Sequence, residues 1–280
     1  MLSILIVFYN RSSATIRLVE SLLKYPIEGA FEILIYDNAS HPEEFKKLDV
    51  NLKNTGSSII SIYHGNKNTG YGTAMNRLAI QAKGKHFMLL NNDTFFKENK
   101  LKEFYNEYLK RGASQILSCR VVNQIGAVQN KGCYFHLLSS KIKELVSLFF
   151  PNVFKPDYYP ACCWLISQHN FFHINGFDET YFMYGEDADF ALRAKKKGIR
   201  NLLSGEGEIV HDYSKTNQIC LFRYLLLHFQ GKKLFMRKNC TGIVRILLWT
   251  VSLMHSLLRI ATLTGGKKHR ALVKLYVRGW

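Results

Sequence analysis

Short apolar runs alternate with stretches of helical periodicity over the first half of the chain. The apolar runs, rich in β-branched or aromatic residues, predict strands over residues 2–8, 31–36, 59–63 and 87–90. Apolar positions at helical spacing predict helices over residues 12–24, 42–48, 73–82 and 99–111. This β-α-β-α order predicts an α/β fold with a mostly parallel central sheet and helices on both of its faces.

Polar residues follow three of these four predicted strands. They are Tyr9-Asn10-Arg11, Asp37-Asn38 and Asn91-Asn92-Asp93. Because ligands of open α/β sheets bind at the carboxyl ends of the strands, these residues are the first candidates for a site.

The periodicity changes after the fourth helix. Residues 115–122 and 127–135 predict two strands around a turn at residues 123–126. Residues 136–160 are irregular and rich in aromatic side chains, which suits a loop that contacts an acceptor or a plain surface connection.

The chain carries a formal charge of +17, concentrated at its C-terminal end. After Asp212 there are 13 Lys or Arg and no Asp or Glu, which suits anionic lipid, nucleic acid or a phosphorylated substrate. Residues 243–264 are strongly apolar, but Arg245, His255 and Arg259 interrupt them. We therefore predict a helix that lies in a membrane interface without spanning it. Its aliphatic composition disfavours nucleic acid as a partner, since bases stack on aromatic side chains.

The six cysteines include no C-x-x-C pair, and the first residues include no basic leader or small-residue cleavage site. We expect a reduced, cytosolic chain without structural zinc.

The Asn-Asn-Asp triplet at residues 91–93 follows the fourth predicted strand. Mg²⁺ and Mn²⁺ take oxygen ligands, and one carboxylate with diphosphate oxygens and water can complete their shell, so Asp93 is a candidate metal ligand. A strand-to-helix turn with capping residues would have the same sequence.

Residues 177–198 carry the strongest local signal. Glu186, Asp187 and Asp189 open a predicted helix that ends in three lysines and Gly198. The helix dipole favours this order of charges without any chemistry. The crowding of acids supports a second interpretation, in which an exposed carboxylate at the helix N-terminus stays ionised and acts as a general base.

His211 ends a short apolar run and is followed by Asp212. A lone histidine is usually structural. Beside an aspartate, a metal and a diphosphate it can instead bind the metal through one ring nitrogen.

Glycines at residues 65–76 form a loop that opens the third predicted helix, and its backbone N–H groups are expected to face a phosphate. Met75 stands where the dinucleotide fingerprint requires its third glycine, and the chain has no Walker A sequence. These observations disfavour an NAD enzyme and a P-loop NTPase.

Six segments in order resemble the successive motifs of family 2 glycosyltransferases, in particular the bacterial rhamnosyltransferase-like group. They are IVFYNR, YDNAS, NTGYGTAMN, LLNNDTF, FDETYFMYGEDADFALRAKKKG and VHDYS. The likeness covers about residues 1–216. It implies a GT-A fold, a nucleotide-diphosphate sugar donor, Mg²⁺ or Mn²⁺ as cofactor, and inversion at the anomeric carbon.

The resemblance also implies roles, position by position. Asp187 matches the family's catalytic base and Asp93 its metal-binding acid, while His211 stands where some members complete the metal shell. Asn91 replaces the first Asp of the family's D-x-D motif. The residues implied to bind the donor are Phe8, Asn10, Asp37, Asn68, Gly70, Asn91 and Asn92. Those implied to bind the acceptor are Glu186 and Trp164.

We accordingly predict a GT-A domain at residues 1–216, with a donor-binding half at 1–122 and a catalytic, acceptor-binding half at 123–216. Residues 217–280 are predicted to form a basic helical extension that associates with an anionic membrane. The predicted function is sugar transfer from dTDP-rhamnose or a UDP-hexose to a lipid-linked glycan, in O-antigen or capsule assembly, on the inner face of a bacterial plasma membrane. The alternative is a non-catalytic, membrane-associated binding module that keeps the fold.

Overall fold

A computed structural model describes residues 1–130, 132–135, 156–212, 221–261, 270, 273–275 and 277 of the 280-residue chain. In this part of the chain the strands form one sheet. The strands are β1 (Leu2–Phe8), β2 (Phe31–Asp37), β3 (Ile60–His64), β4 (His86–Asn91), β5 (Thr94–Phe95), β6 (Ile116–Val122), β7 (Cys163–Ser167) and β8 (Asn201–His211). The helices are α1 (Ser12–Lys24), α2 (Pro42–Asn54), α3 (Tyr71–Gln81), α4 (Lys100–Lys110), α5 (Gln168–His173), α6 (Glu186–Lys196), α7 (Leu221–Asn239) and α8 (Gly242–Ala261).

The sheet has the order β3-β2-β1-β4-β7-β6-β8-β5. Strands β1 to β4 pair in parallel, as the alternation of strands and helices predicts. Strand β7 lies antiparallel between β4 and β6, β6 pairs in parallel with β8, and β5 pairs antiparallel with β8. The predicted α/β architecture is confirmed.

Helices cover both faces of the sheet. Ile4 of β1 packs into a layer with α1, α2 and α4, and its neighbour Leu5 packs into a second layer with α3, α5 and α6. Successive side chains of a strand point to opposite faces. Strand β1 is therefore buried on both sides, which explains its uninterrupted apolar sequence.

The predicted strand at residues 127–135 is wrong. This segment makes isolated bridges at Val128 and Cys133. The turn before it is confirmed, because the Asn123 side chain accepts hydrogen bonds from two following backbone N–H groups. The Asn130 side chain then bonds to the backbone of β6, where a continuous ladder would need backbone partners. Most of the aromatic loop, residues 136–155, lies outside the described residues.

Helix α8 covers most of the segment predicted to lie in a membrane interface, residues 243–264. No helix in the described part of the chain is long and apolar enough to cross a membrane. Helix α7 inserts Phe235 into the layer formed with α3 and α6. The predicted boundary at residue 216 lies among residues outside the description, whereas α7 is packed against the body of the fold.

Candidate active site

The carboxyl ends of β1, β2 and β4 meet at one edge of the sheet. The register pairs Phe8 with Asp37 and Val7 with Asn91. The polar residues that follow these strands therefore lie along the same edge, as expected from the sequence.

The loop after β1 is tied to the loop after β2. Asn10 and Arg11 both have left-handed backbone, with φ of 56° and 61°. The Asn10 N–H donates to Ser40 Oγ at 2.8 Å, and Asn10 Oδ1 accepts from the His41 N–H at 2.9 Å. Asp37 Oδ1 accepts from the Ser40 N–H at 3.0 Å. Two predicted donor-binding residues, Asn10 and Asp37, are thus held at the edge by the loops themselves.

The glycine-rich loop is fastened to Asn38. Asn38 Oδ1 accepts from the Thr69 N–H at 2.9 Å, and its Nδ2 donates to Asn68 Oδ1 at 3.0 Å. Asn68 Oδ1 also accepts from the Gly70 N–H at 3.0 Å. The expectation that these loop N–H groups face a phosphate is wrong for Thr69 and Gly70, because side chains of the protein already satisfy them.

Glycine is needed at residue 70 for a steric reason and not for phosphate binding. Its φ is +86°, and a Cβ at this position would overlap the carbonyl oxygen of Phe182. The Tyr71 N–H donates to the same oxygen at 3.3 Å. Gly70 therefore allows the loop before α3 to approach the segment that leads into α6.

The end of β4 is joined to its neighbours through both asparagines. The Asn91 N–H donates to the Cys162 carbonyl at 3.0 Å, and the Asn91 carbonyl accepts from Thr94 Oγ1 at 2.8 Å. Asn92 Nδ2 donates to Thr15 Oγ1 of α1 at 3.2 Å. The side-chain nitrogen of Asn92 therefore holds α1. A contact between the side-chain oxygen of Asn92 and the sugar donor stays a prediction.

Asp93 lies between the Arg11 guanidinium and the His211 imidazole. Arg11 Nη1 donates to Asp93 Oδ2 at 2.6 Å, and His211 Nε2 lies 2.9 Å from Asp93 Oδ1. Burial opposes ionisation of Asp93, but the hydrogen bond and charge of His211 and the charge of Arg11 outweigh it, so its pKa is below the ordinary value. Pairing of β5 with β8 sets this geometry, since it places Thr94 opposite His211.

The donors at Asp93 and His211 fit a divalent metal that is shared with a diphosphate. A carboxylate oxygen suits both Mn²⁺ and Mg²⁺, and an imidazole nitrogen beside it is a ligand for a first-row transition metal such as Mn²⁺. Among the described residues, no cluster of three or more His, Cys, Asp or Glu side chains is placed to hold an ion. Diphosphate oxygens and water would have to supply the remaining ligands.

Glu186 and Asp187 open α6 after Gly185, whose φ is 90°. Asp187 Oδ1 accepts from the Ala188 N–H at 2.8 Å, and its carboxylate also accepts from the Ala161 N–H. Burial raises the pKa of Asp187 against these hydrogen bonds. Burial, and then the charge of Asp187, raises the pKa of Glu186 to about 8. The expectation of an exposed carboxylate is wrong, because Asp187 is partly buried.

Two consecutive residues before β7 join the candidate base to the candidate metal site. Ala161 donates its N–H to Asp187, and the Cys162 carbonyl accepts from the Asn91 N–H. Asp187 and the Asn91–Asp93 segment therefore lie at the same edge, bridged by one short piece of backbone.

Two buried polar atoms near Asp187 have no hydrogen-bond partner among the described residues. They are Glu186 Oε2 and Tyr71 Oη. Burial raises the pKa of Tyr71, and the charge of Glu186 is the next largest cause. The phenol therefore keeps its proton at neutral pH and can donate a hydrogen bond to a ligand.

Two predicted ligand-binding side chains belong to the core. Phe8 and Trp164 have no exposed surface. The indole N–H of Trp164 donates to the Tyr159 carbonyl at 3.0 Å, and its ring packs near Phe190. The predicted contacts of the Phe8 side chain with the donor and of Trp164 with the acceptor are wrong, because helices cover the sheet faces to which these side chains point.

Four site residues have contacts that the sequence did not assign: Arg11 and Asn38 were candidates by position alone, and Tyr71 and Ala161 were not candidates. Arg11 and Asn38 follow predicted strands, and Tyr71 adjoins Gly70, so their positions were usable signals. Ala161 contributes a backbone N–H, for which the sequence has no signal.

A sheet of this topology, with acids and amides at its carboxyl edge, has the GT-A glycosyltransferase fold. A family model described as Glycosyl transferase family 2 matches residues 3–170, and the chain belongs to this family. A second model, described as the N-terminal domain of galactosyltransferase, matches residues 147–218. The resemblance stated from the motifs is confirmed.

Curated relatives share parts of the chain. The O-antigen biosynthesis protein RfbC of Myxococcus xanthus is 22% identical over 77% of this chain and 18% of its own length. A low-salt glycan biosynthesis hexosyltransferase of Haloferax volcanii is 26% identical over 62% of this chain and 56% of its own. An N-acetylglucosaminyl-diphospho-decaprenol L-rhamnosyltransferase of Mycobacterium tuberculosis is 30% identical over 32% of this chain and 29% of its own. The chain thus spans between about a fifth and somewhat over half of these relatives.

Solved structures share the fold. A mannosyltransferase of Pyrobaculum calidifontis in complex with GDP-mannose and Mn²⁺ has a TM-score of 0.62 at 11% identity, over 99% of this chain and 84% of the other. GalNAc-T7 with UDP, GalNAc and Mn²⁺ has a TM-score of 0.61 at 17% identity, over 84% of this chain and 49% of the other.

Proposed function

We propose that the chain transfers a sugar from a nucleotide-diphosphate donor, dTDP-rhamnose or a UDP-hexose, to a hydroxyl of a glycan acceptor with inversion at the anomeric carbon. The main support is the backbone bridge through Ala161 and Cys162, which holds the Asp187 carboxylate beside the segment that carries Asp93. Structural relatives solved with UDP or GDP-mannose support a nucleotide-sugar donor.

Asp187 is the proposed general base. Its raised pKa makes the ionised carboxylate a better proton acceptor than an ordinary aspartate. It takes the proton of the acceptor hydroxyl while that oxygen attacks the anomeric carbon from the face opposite the diphosphate. Glu186 and Tyr71, with buried polar atoms beside it, orient the acceptor by hydrogen bonds.

Positive charge at the sheet edge would stabilise the departing diphosphate. Asp93 and His211 would hold Mg²⁺ or Mn²⁺, which supplies charge neutralisation to the leaving group when bound. The guanidinium of Arg11, held 2.6 Å from Asp93, adds a positive charge at the same edge. Donor recognition is assigned to Asn10, Asp37, Asn68 and the amide of Asn91, with Gly70 shaping the loop.

The acceptor is proposed to be a lipid-linked glycan at the cytoplasmic face of a bacterial plasma membrane. Ile243, Ile246 and Met254 are exposed along one side of α8, and the chain after Asp212 is exclusively basic among its charged residues. An anionic bilayer surface matches both features. The mycobacterial relative is named as acting on a diphospho-decaprenol substrate, which supports this substrate class. The Myxococcus relative is named for O-antigen biosynthesis, which supports a role in O-antigen or capsule assembly.

A donor screen tests the proposed function. Purified chain with Mg²⁺ or Mn²⁺ is incubated with a panel of UDP- and dTDP-sugars, with and without a polyprenyl-diphosphate glycan, and release of nucleoside diphosphate is measured. Metal-dependent release from one donor, lost in Asp187→Asn and Asp93→Ala, is expected. Silence across the panel together with no donor-induced thermal shift would favour the non-catalytic binding module.

A further inference from the structure

We propose that α7 positions the catalytic base. It holds the turn before α6, the helix that carries Asp187, in the active conformation. The inference rests on the role of Asp187 given under Proposed function. It assigns a positioning role to His228 and Gly231, which lie outside both segments matched by family models, residues 3–170 and 147–218.

The turn has an unusual backbone. Tyr184 and Gly185 are consecutive left-handed residues, with φ of 65° and 90°. Left-handed backbone is unfavourable for a tyrosine, and persists where surrounding contacts hold it. Contacts from neighbouring elements must therefore hold Tyr184, which stands two residues before Glu186, the first residue of α6.

Helix α7 contacts Tyr184 at both its ring and its backbone. The Tyr184 ring stacks on His228, with centroids 3.5 Å apart and planes inclined by 15°. A Cβ at Gly231 would overlap the Tyr184 carbonyl oxygen, and one at Gly185 would meet the Gly231 carbonyl oxygen at 3.0 Å. Glycine is unfavourable inside a helix, so its presence at residue 231 has a packing reason: it allows the turn to lie directly on the helix backbone.

A second contact ties the far end of α7 to the start of the same segment. Lys238 Nζ donates to the Asp178 carboxylate and to Thr180 Oγ1, the latter at 2.6 Å. Phe235, between the two points of contact, is buried in the layer that contains Phe190 of α6. Helix α7 therefore supports the segment from residue 178 to residue 185 along its length.

Helix α3 supports the opposite side of this segment. Tyr71 donates its N–H to the Phe182 carbonyl, and the Asn76 side chain bonds to both backbone groups of Phe177. The segment is thus held between α3 and α7. Release of the α7 side would let Tyr184 and Gly185 relax, and would displace Asp187 from the Ala161 N–H that it contacts.

Gly231→Ala is the direct test. Alanine favours the helix over glycine, so any loss arises from the contact with Tyr184. We expect kcat to fall about 10- to 100-fold, as for a small misplacement of a reacting group, while the donor KM stays within about twofold. Gly205→Ala in β8 is the matched control, because its Cβ would meet Glu107 Oε1 at an ordinary 3.9 Å. Equal kcat in Gly231→Ala and wild type would overturn the proposal.

Two further measurements separate this inference from the proposed function. His228→Ala should lower kcat, and His228→Phe, which keeps a ring to stack on Tyr184, should restore most of it. Amide hydrogen exchange of residues 181–188 should be faster in Gly231→Ala than in wild type or Gly205→Ala, and this readout needs no activity. If wild type is inactive with every donor, the proposed function fails, and unchanged exchange in Gly231→Ala would independently reject the support by α7.

Discussion

Asp93 and His211 are 118 residues apart in the chain, yet His211 Nε2 lies 2.9 Å from Asp93 Oδ1. The two-residue strand β5 pairs with the end of β8, and the Asp212 N–H donates to the Asp93 carbonyl at 2.9 Å. Backbone pairing therefore places the two side chains together. Because Arg11 contacts the second oxygen of Asp93, the carboxylate is oriented from both sides, by a guanidinium and an imidazole.

This arrangement predicts metal-dependent activity that both side chains support. A chelator should abolish turnover, and added Mn²⁺ or Mg²⁺ should restore it. Asp93→Asn keeps the size of the side chain but removes its charge, so we expect turnover to fall about 100-fold or more. His211→Gln should raise the metal concentration needed for half-maximal activity. His173→Gln is the matched control, since His173 lies on α5 and stacks on His169 away from this edge. Full activity of Asp93→Asn in chelator would contradict the assignment.

Asp187→Asn should lower kcat by about 10² to 10⁴ and leave donor affinity nearly unchanged, because it removes the proton acceptor and keeps the shape. Single-turnover rates and donor titration by calorimetry separate the two effects. Glu103→Gln is a suitable control: Glu103 is also an acid in the first turn of a helix, and it pairs with Lys100. Wild-type turnover in Asp187→Asn would remove Asp187 from the role of base.

The buried carboxyl of Glu186 predicts a pH-dependent stability. Its pKa is about 8 in the folded chain, against an ordinary value of 4.5. Between these values the folded state binds the proton and the unfolded state has lost it, so the free energy of unfolding falls as pH rises from about 4.5 to about 8. Glu186→Gln cannot lose a proton, and its stability should decline less over this range. Denaturant unfolding of both chains at pH 5, 6, 7 and 8 measures the difference. Parallel pH profiles would contradict the burial of this group.

The alternation of apolar runs was sufficient to predict β1 to β4 and the helices between them. The burial of each element explains its sequence pattern. Leu2–Phe8 is predominantly apolar because it is buried throughout, and α1 has apolar residues at helical spacing because one face is buried. The strand β7 was missed because Cys163–Ser167 is a short run between aromatic segments, and nothing local indicates that it inserts between β4 and β6.

The sequence predicted the part of the site that is formed by residues at the ends of strands. Asp37, Asn91 and Asp93 lie where parallel strands bring them. The sequence could not show that Trp164 lies in the core or that Asn38 satisfies the glycine loop, because both depend on contacts between segments distant in the chain. It also did not indicate that α7 lies against Tyr184, because this contact too joins distant segments.

Gly70→Ala should destabilise the chain more than a comparable substitution elsewhere. Gly29 also has a positive φ, 96°, but open space around its added Cβ. Backbone strain at positive φ destabilises either variant by about 1–3 kcal/mol. Gly70→Ala should lose about 1–3 kcal/mol more, because its Cβ overlaps the Phe182 carbonyl and must displace backbone. Thermal unfolding of the two variants measures this difference, and equal losses would show that the approach of Phe182 is dispensable.

The exposed side of α8 predicts binding to anionic membranes. Ile246 and Met254 are 60% and 63% exposed, while Trp249 and Leu253 of the same helix pack against residues of α7. The wild-type chain should float with vesicles that contain anionic lipid at low salt, and less at high salt, where the charges are screened. Ile246→Glu and Met254→Glu should each weaken partitioning by about tenfold or more, the effect of withholding one buried aliphatic side chain from the bilayer.

Ile80→Glu is the control for this effect. Ile80 is 70% exposed on α3, a helix of the body of the fold. Its substitution by Glu adds the same negative charge, but away from α8. Ile80→Glu should float like wild type. Equal loss in all three variants would mean that net charge alone determines binding. Failure of the wild-type chain to float at low salt would instead reject the membrane partner, and would leave the basic segment to act on a phosphorylated acceptor in solution.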